Sequence, residues 1–205
     1  MSTGQKIGLL GGTFDPPHWG HLWLAELARQ QLGLDKVLFL PVGQPPHKVG
    51  REITAVSHRI QLVSLAIETN PNFVLDTTDC ARPAPHSTVT LLPLLAQAYP
   101  EATFWLLLGG DSLRDLPTWT DPARLITQCR LAVLPRPEAI IEWERLATAV
   151  PGIKTAVDWL SGPTLSLSAT AIRAWLREGH RATYLLPTAV ADYITQHQLY
   201  QAKTG

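Results

Sequence analysis

The feature that most constrains this chain is a pair of short apolar runs, Ile7-Gly8-Leu9-Leu10 and Val37-Leu38-Phe39-Leu40, separated by a glycine-containing turn and a stretch of helix formers. Residues 22–32 favour a helix, and Gly33 stands where a left-handed residue closes one. Strand, crossover helix and strand in so short a span make a βαβ unit, with parallel strands and a right-handed crossover. The alternation recurs. Residues 55–68 predict a helix, Phe73-Val74-Leu75-Asp76 a strand, residues 88–97 a helix despite Pro93, and Phe104-Trp105-Leu106-Leu107-Leu108 a strongly apolar strand. Arg130-Leu131-Ala132-Val133-Leu134 predicts another strand and Ile153-Lys154-Thr155-Ala156-Val157 the last one. Residues 169–178 predict a helix stopped by Gly179, and residues 187–200 a closing helix. Continuously apolar strands between helices imply an α/β architecture, a doubly wound parallel sheet with helices on both faces and a C-terminal helical portion.

A length of 205 residues suits one domain spanning 1–205, and 45% apolar residues can fill its core. Seventeen basic and seventeen acidic side chains cancel, which argues against a general electrostatic hold on nucleic acid or an anionic membrane. Any anion must therefore be bound locally. Cys80 and Cys129 are far apart and form no CxxC pattern, as expected of a reducing compartment rather than a disulfide scaffold or zinc ribbon. Residues 1–6 contain no apolar signal region, and no run approaches the roughly 18 apolar residues of a membrane span. A cytoplasmic protein without membrane or nucleic-acid partners is expected.

In such sheets ligands bind beyond the carboxyl ends of the strands. The first such loop, Gly11-Gly12-Thr13-Phe14-Asp15-Pro16-Pro17-His18-Trp19-Gly20-His21, lets the backbone approach a ligand and ends at a helix start with free N–H groups. His18 and His21, three apart, fall on one face of that first turn. A protein-held metal is not expected there, because no cysteine or carboxylate supplies further ligands at suitable spacing. The second loop, Pro41-Val42-Gly43-Gln44-Pro45-Pro46-His47-Lys48, is stiffened by prolines and presents Lys48. The third, Gly109-Gly110-Asp111-Ser112, follows the strongest strand and leads to Trp119; Asp111 falls where an N-cap is expected. Arg136 follows another strand. The fourth, Leu165-Ser166-Leu167-Ser168-Ala169-Thr170-Ala171-Ile172-Arg173, enters a helix with Ser168 as N-cap, so hydroxyls and N–H groups converge on one point.

Gly12-Thr13-Phe14-Asp15 with His18-x-Gly20-His21 resembles the signature of the nucleotidyltransferase superfamily, and Asp15-Pro16-Pro17-His18 resembles that of the bacterial nicotinate mononucleotide adenylyltransferases. Pro45-Pro46-His47-Lys48, residues 109–119 and the Ser/Thr run closing on Ile172-Arg173 follow in the family's order, so the resemblance covers nearly the whole chain. It implies a Rossmann-like fold and transfer of the adenylyl group of ATP to nicotinate mononucleotide, giving nicotinate adenine dinucleotide and pyrophosphate in NAD biosynthesis. It also implies roles. Gly11, Gly12, Thr13, Phe14, Gly109, Arg136, Ser168 and Thr170 would contact ATP together with His18, His21 and Arg173, which with Lys48 form the catalytic set. Asp15, Lys48, Ser87, Asp111, Ser112 and Trp119 would hold the acceptor, Trp119 stacking on the pyridine ring. Mg2+ is expected to ride on the ATP phosphates with water completing its shell. Two departures stand out. Ala169 replaces a hydroxyl of the second signature, and Pro85-His86-Ser87 replaces the family's Ser-Tyr-Thr, whose backbone helps recognise the acceptor's carboxylate. The alternatives are the same transfer to nicotinamide mononucleotide or another phosphomonoester, or a non-catalytic nucleotide-binding module. Whether the chain acts as a homo-oligomer stays open.

Overall fold

The computed structural model describes residues 4–43, 53–136 and 139–202. In chain order the elements are β1 (Lys6–Gly12), α1 (Trp19–Leu32), β2 (Lys36–Pro41), α2 (Val56–Ile67), β3 (Phe73–Leu75), α3 (Thr78–Ala81), α4 (Thr88–Ala98), β4 (Thr103–Gly109) and α5 (Gly110–Asp115). A 3₁₀ turn (Leu116–Thr118) leads into α6 (Pro122–Gln128), β5 (Arg130–Leu134), α7 (Trp143–Ala149), α8 (Ile153–Ala156), β6 (Val157–Trp159), α9 (Ala169–Arg177) and α10 (Thr188–Gln196). The strands form one sheet in the order β3-β2-β1-β4-β5-β6, every pair parallel. This is the doubly wound arrangement expected from the alternation, its winding reversing between β1 and β4.

The period-two side-chain alternation of the strands sorts the core into two layers. Leu10, Phe39, Trp105, Leu107 and Ala132 face one way, against Leu22 and Ala25 of α1, Leu62 and Val63 of α2, Ile172 of α9, and Val190 and Ile194 of α10. Leu9, Leu38, Leu106, Leu108 and Val133 face the other way, against Leu92 and Leu95 of α4, Leu113 of α5, Leu125 of α6 and Leu146 of α7. Both faces are thus covered. Gly33 closes α1 at φ 62°, and Pro93 lies inside α4, whose buried face keeps it in place.

Two elements differ from expectation. The closing helix expected over residues 187–200 ends at Gln196, because Gln198 and Tyr200 adopt left-handed backbone that no helix continues through. Ile153–Ala156 is a helical turn, and the last strand begins only at Val157. Gly152, at φ 90°, starts the turn, and Ile153 and Ala156 bury themselves at helical spacing. The strand is anchored by Asp158, whose carboxylate accepts from Arg130 Nε at 2.6 Å, Arg130 Nη2 at 2.7 Å and Trp105 Nε1 at 2.8 Å. These bonds hold the Asp158 carboxyl below its ordinary range.

The largest fully buried side chain is Arg59 of α2. Its guanidinium donates to the carbonyls of Thr13 at 2.9 Å, Val42 at 2.8 Å, Gly43 at 2.9 Å and Thr54 at 3.0 Å. It bolts together the chain after β1, the chain after β2 and the entry to α2. Arg59→Met keeps the bulk but leaves these carbonyls without their donor, so it should lower stability by about 3 kcal/mol. That is roughly 6–12 °C in Tm for a chain of this size, read by thermal circular dichroism. Glu144→Ala, which removes the exposed ion pair to Lys154, should leave Tm almost unchanged.

Candidate active site

Gly11 and Gly12 end β1, and Gly109 ends β4, so both glycine turns open on the crevice where the winding reverses. Between β1 and α1 the backbone turns through Phe14, which sits at φ 50° in the left-handed region. Phe14 was expected among the nucleotide contacts, but its side chain points into the core and is 2% exposed. A Cβ on Gly12 would stand 3.3 Å from the Phe14 ring, and His21 meets that ring edge-on at 5.0 Å. Phe14 is therefore the floor beneath the turn, and the aromatic contact favours one orientation of His21.

His18 is the N-cap of α1 and His21 its third residue. The His18 backbone N–H donates to His21 Nδ1 at 3.2 Å. That acceptor role puts the neutral ring's proton on His21 Nε2. The two rings stack with centroids 3.8 Å apart. Gly20 makes this close stack feasible, because a Cβ there would lie 3.0 Å from His18 Nδ1. Burial, and after it the positive charge of Arg136, pushes the His18 pKa down to about 4. His21 is pushed well below 6.5 by burial, then by His18 and Arg136. At neutral pH both rings are uncharged N–H donors, and the fixed positive charge comes from arginines. Arg136 follows β5 and stands with its Nε 3.7 Å from Asp111 Oδ1.

The second signature meets the first here. Ser168 caps α9, its Oγ accepting the Ala171 N–H at 3.1 Å, as its sequence position predicts. Arg173, one turn on, donates from Nη1 to the Asp15 carbonyl at 2.6 Å and from Nη2 to Thr170 Oγ1 at 3.4 Å. Its Nε is buried without a protein partner, as is His18 Nδ1. Two sequence-distant motifs thus share one backbone carbonyl.

Asp15 itself differs from expectation as an acceptor contact. Its side chain is 3% exposed, and Oδ1 accepts from the Tyr200 hydroxyl at 2.7 Å while the Thr54 N–H faces Oδ2 at 3.5 Å. The carboxylate is turned away from the crevice and holds the loop from behind. Asp111 is also not an N-cap: that position is taken by Gly109, and Asp111 and Ser112 lie inside the first turn of α5. A Cβ on Gly109 would stand 2.6 Å from Asp111 Oδ1 and 3.2 Å from Arg136 Nε, so the missing side chain makes room for that pair.

Beside the turn lies a largely apolar cavity of about 330 Å³, the size of a small-ligand pocket. Gly11, Gly12 and Thr13 form one wall, Ser87 and Trp119 stand on others, and leucines of the sheet and α4 supply the floor. Ser87 is the N-cap of α4, its Oγ 2.9 Å from Thr90 Oγ1. His86 and Asp79 add the polar lining, with His86 Nδ1 3.4 Å from Asp79 Oδ2 and Arg82 Nε donating to Asp79 Oδ1 at 2.7 Å. Lys48 lies outside the described residues. Arg59, Thr54, Asp79 and Tyr200 were not found from sequence. Arg59 did leave a signal, a cation on the face of α2 shared with Leu62, Val63 and Ala66.

Comparison with known proteins follows the same lines. The model of the cytidylyltransferase-like family matches residues 9–175. A probable nicotinate-nucleotide adenylyltransferase of Thermomicrobium roseum is 41% identical over 197 residues, covering 96% of this chain and 92% of that protein. Its counterpart in a Roseiflexus species is 40% identical over 199 residues, covering 97% and 100%. Among solved structures, the Plasmodium falciparum nicotinic acid mononucleotide adenylyltransferase complexed with NaAD shares the fold, with TM-score 0.78, 19% identity and coverage of 96% of this chain and 97% of that one. A fold, a matching family model and full-length relatives at this identity agree: the chain belongs to the cytidylyltransferase-like nucleotidyltransferases, and within them to the nicotinate-nucleotide adenylyltransferases.

Proposed function

We propose that the protein transfers the adenylyl group of ATP to the phosphate of nicotinate mononucleotide, producing nicotinate adenine dinucleotide and pyrophosphate in NAD biosynthesis. The observation that carries this reading is the junction of the two signatures: Arg173 bonded to the Asp15 carbonyl of the turn that leads into the stacked imidazoles and lines a cavity with Trp119. An oxygen of the acceptor phosphate attacks the α-phosphorus of ATP in line, and the bond from that phosphorus to the β-phosphate oxygen breaks. A phosphate monoester is already a nucleophile at neutral pH, so the protein supplies placement and charge rather than a base.

In this reading the His21 Nε2–H and the His18 ring donate to triphosphate oxygens, where negative charge gathers as pyrophosphate leaves. Each neutral imidazole keeps one N–H to donate, and its tautomer fixes which nitrogen that is. Arg173, Arg136, Thr170 and the α9 start capped by Ser168 hold the β and γ phosphates, with Gly11, Gly12, Thr13 and Gly109 letting the backbone come close. Lys48 would steady the incoming phosphate. Trp119 offers its face to the pyridine ring, and Ser87 marks the start of α4. The positive end of that helix favours a carboxylate over a carboxamide, which supports the acid as substrate despite Pro85-His86-Ser87.

The divalent cation that neutralises ATP is read as Mg2+, carried by phosphate oxygens and water. Among the described residues no three His, Cys, Asp or Glu side chains gather as a metal cage. The free thiols Cys80 and Cys129 fit a reducing, cytoplasmic setting.

Pyrophosphate release with ATP and a panel of acceptors tests the reading. Turnover should be at least about tenfold faster with nicotinate mononucleotide than with nicotinamide mononucleotide or phosphopantetheine, a tenfold ratio corresponding to ~1.4 kcal/mol. No release with any acceptor would leave only a nucleotide-binding module. In the same assay His18→Ala should lower kcat by on the order of 10² to 10³, as loss of one preorganised donor does, while thermal unfolding stays cooperative. Full turnover in that variant would remove His18 from the mechanism.

A further inference from the structure

The carboxyl-terminal segment does more than complete the core. After α10 the backbone passes through Gln198 at φ 50° and Tyr200 at φ 64°, two left-handed residues that turn the chain back towards the sheet. Leu199 and the Tyr200 ring pack on the core layer that contains α1 and α2. The Tyr200 hydroxyl then reaches Asp15 Oδ1 at 2.7 Å. Burial, and next the neighbouring Asp15 carboxylate, raises the Tyr200 phenol far above its ordinary pKa, so it remains a donor at any working pH.

This bond lies directly behind the junction of the two signatures. Asp15 uses its side chain to receive Tyr200 and its backbone carbonyl to receive Arg173 Nη1 at 2.6 Å. The guanidinium of Arg59 lies close enough to act on the same carboxylate. Without the hydroxyl, that carboxylate would be left buried near the Arg59 guanidinium with, among the described residues, only the distant Thr54 N–H as a hydrogen-bond partner. It would be drawn towards Arg59, carrying its peptide carbonyl with it. A shift of this kind, even well under an ångström, is costly in a site built on placement.

We propose that Tyr200 is a positioning residue for the triphosphate: its hydroxyl fixes Asp15, and the Asp15 carbonyl fixes the direction in which Arg173 presents its guanidinium. The proposal rests on the assignment of Arg173 to the β and γ phosphates. It predicts an effect on ATP and none of comparable size on the acceptor, whose cavity lies on the other side of the turn. Tyr193 offers an internal control, since its hydroxyl also bonds outward from α10, to His58 Nδ1 at 2.8 Å, without touching the loop.

The test measures the affinity of the full-length protein for an ATP analogue with an α,β-methylene bridge, by calorimetry, so that it does not depend on turnover. Tyr200→Phe should weaken binding about tenfold, with KM for nicotinate mononucleotide within about twofold of the parent, while Tyr193→Phe should leave analogue affinity within about twofold even if its Tm falls. Unchanged affinity in Tyr200→Phe, or an equal loss in Tyr193→Phe, overturns the proposal. A cycle with Arg173→Lys identifies the route: the combined loss should be smaller than the product of the two single losses, and a fully multiplicative result contradicts action through Arg173. If Tyr200→Phe fails to fold, Asp15→Asn replaces it in the same cycle with the same two outcomes. Failure to release pyrophosphate with any acceptor would sink the enzymatic reading but leave these binding results decisive for Tyr200.

Discussion

The site is referred throughout to the backbone of one turn, residues 13–18, and guanidinium groups hold that turn at two carbonyls. Arg59 takes the Thr13 carbonyl from beneath, and Arg173 takes the Asp15 carbonyl from the side. Neither contact is local in sequence. A turn with two consecutive prolines, Pro16 and Pro17, has no hydrogen-bond ladder of its own, so its shape must come from such bonds. With the turn fixed, the start of α1 is fixed, and with it the direction of both imidazoles.

The electrostatics follow from that placement. Two histidines stacked at a helix start near Arg136 could not both be charged, and burial settles the matter by keeping both neutral. The site thereby separates two jobs that a pair of imidazolium ions would have merged. In the proposed reaction arginines, which never lose their protons, supply attraction for the polyphosphate. The imidazoles supply directed N–H donors whose tautomer is set by the backbone, at least for His21.

Much of the fold was legible because parallel strands buried on both faces are mostly apolar, and five such runs alternate with helices. The fold's local punctuation was legible for the same kind of reason. Gly33 and Ser168 occupy end positions where backbone geometry or an orphan N–H selects their chemistry. Ile153–Ala156 misled because an apolar run of that length suits a strand or one buried helical turn equally, and only Gly152 and the Asp158 anchor decide between them. In the site, the histidine pair and Arg173 were legible as chemistry, but Phe14 and Asp15 were not legible as supports. Whether a residue in a motif faces the ligand or the core depends on partners such as Tyr200 and Arg59, which lie far away in sequence and carry no motif of their own.

The central claim is that the paired imidazoles act as neutral, oriented donors on a rigid turn. Nitrogen-15 spectra of the histidine rings, followed across pH in the free protein, test it most directly, with His18→Ala serving for assignment. The account predicts that His21 carries its proton on Nε2 and that His18 takes up a second proton with a midpoint near pH 4. A titration of either ring centred near 6.5 would contradict it, because exposed, freely rotating imidazoles behave that way.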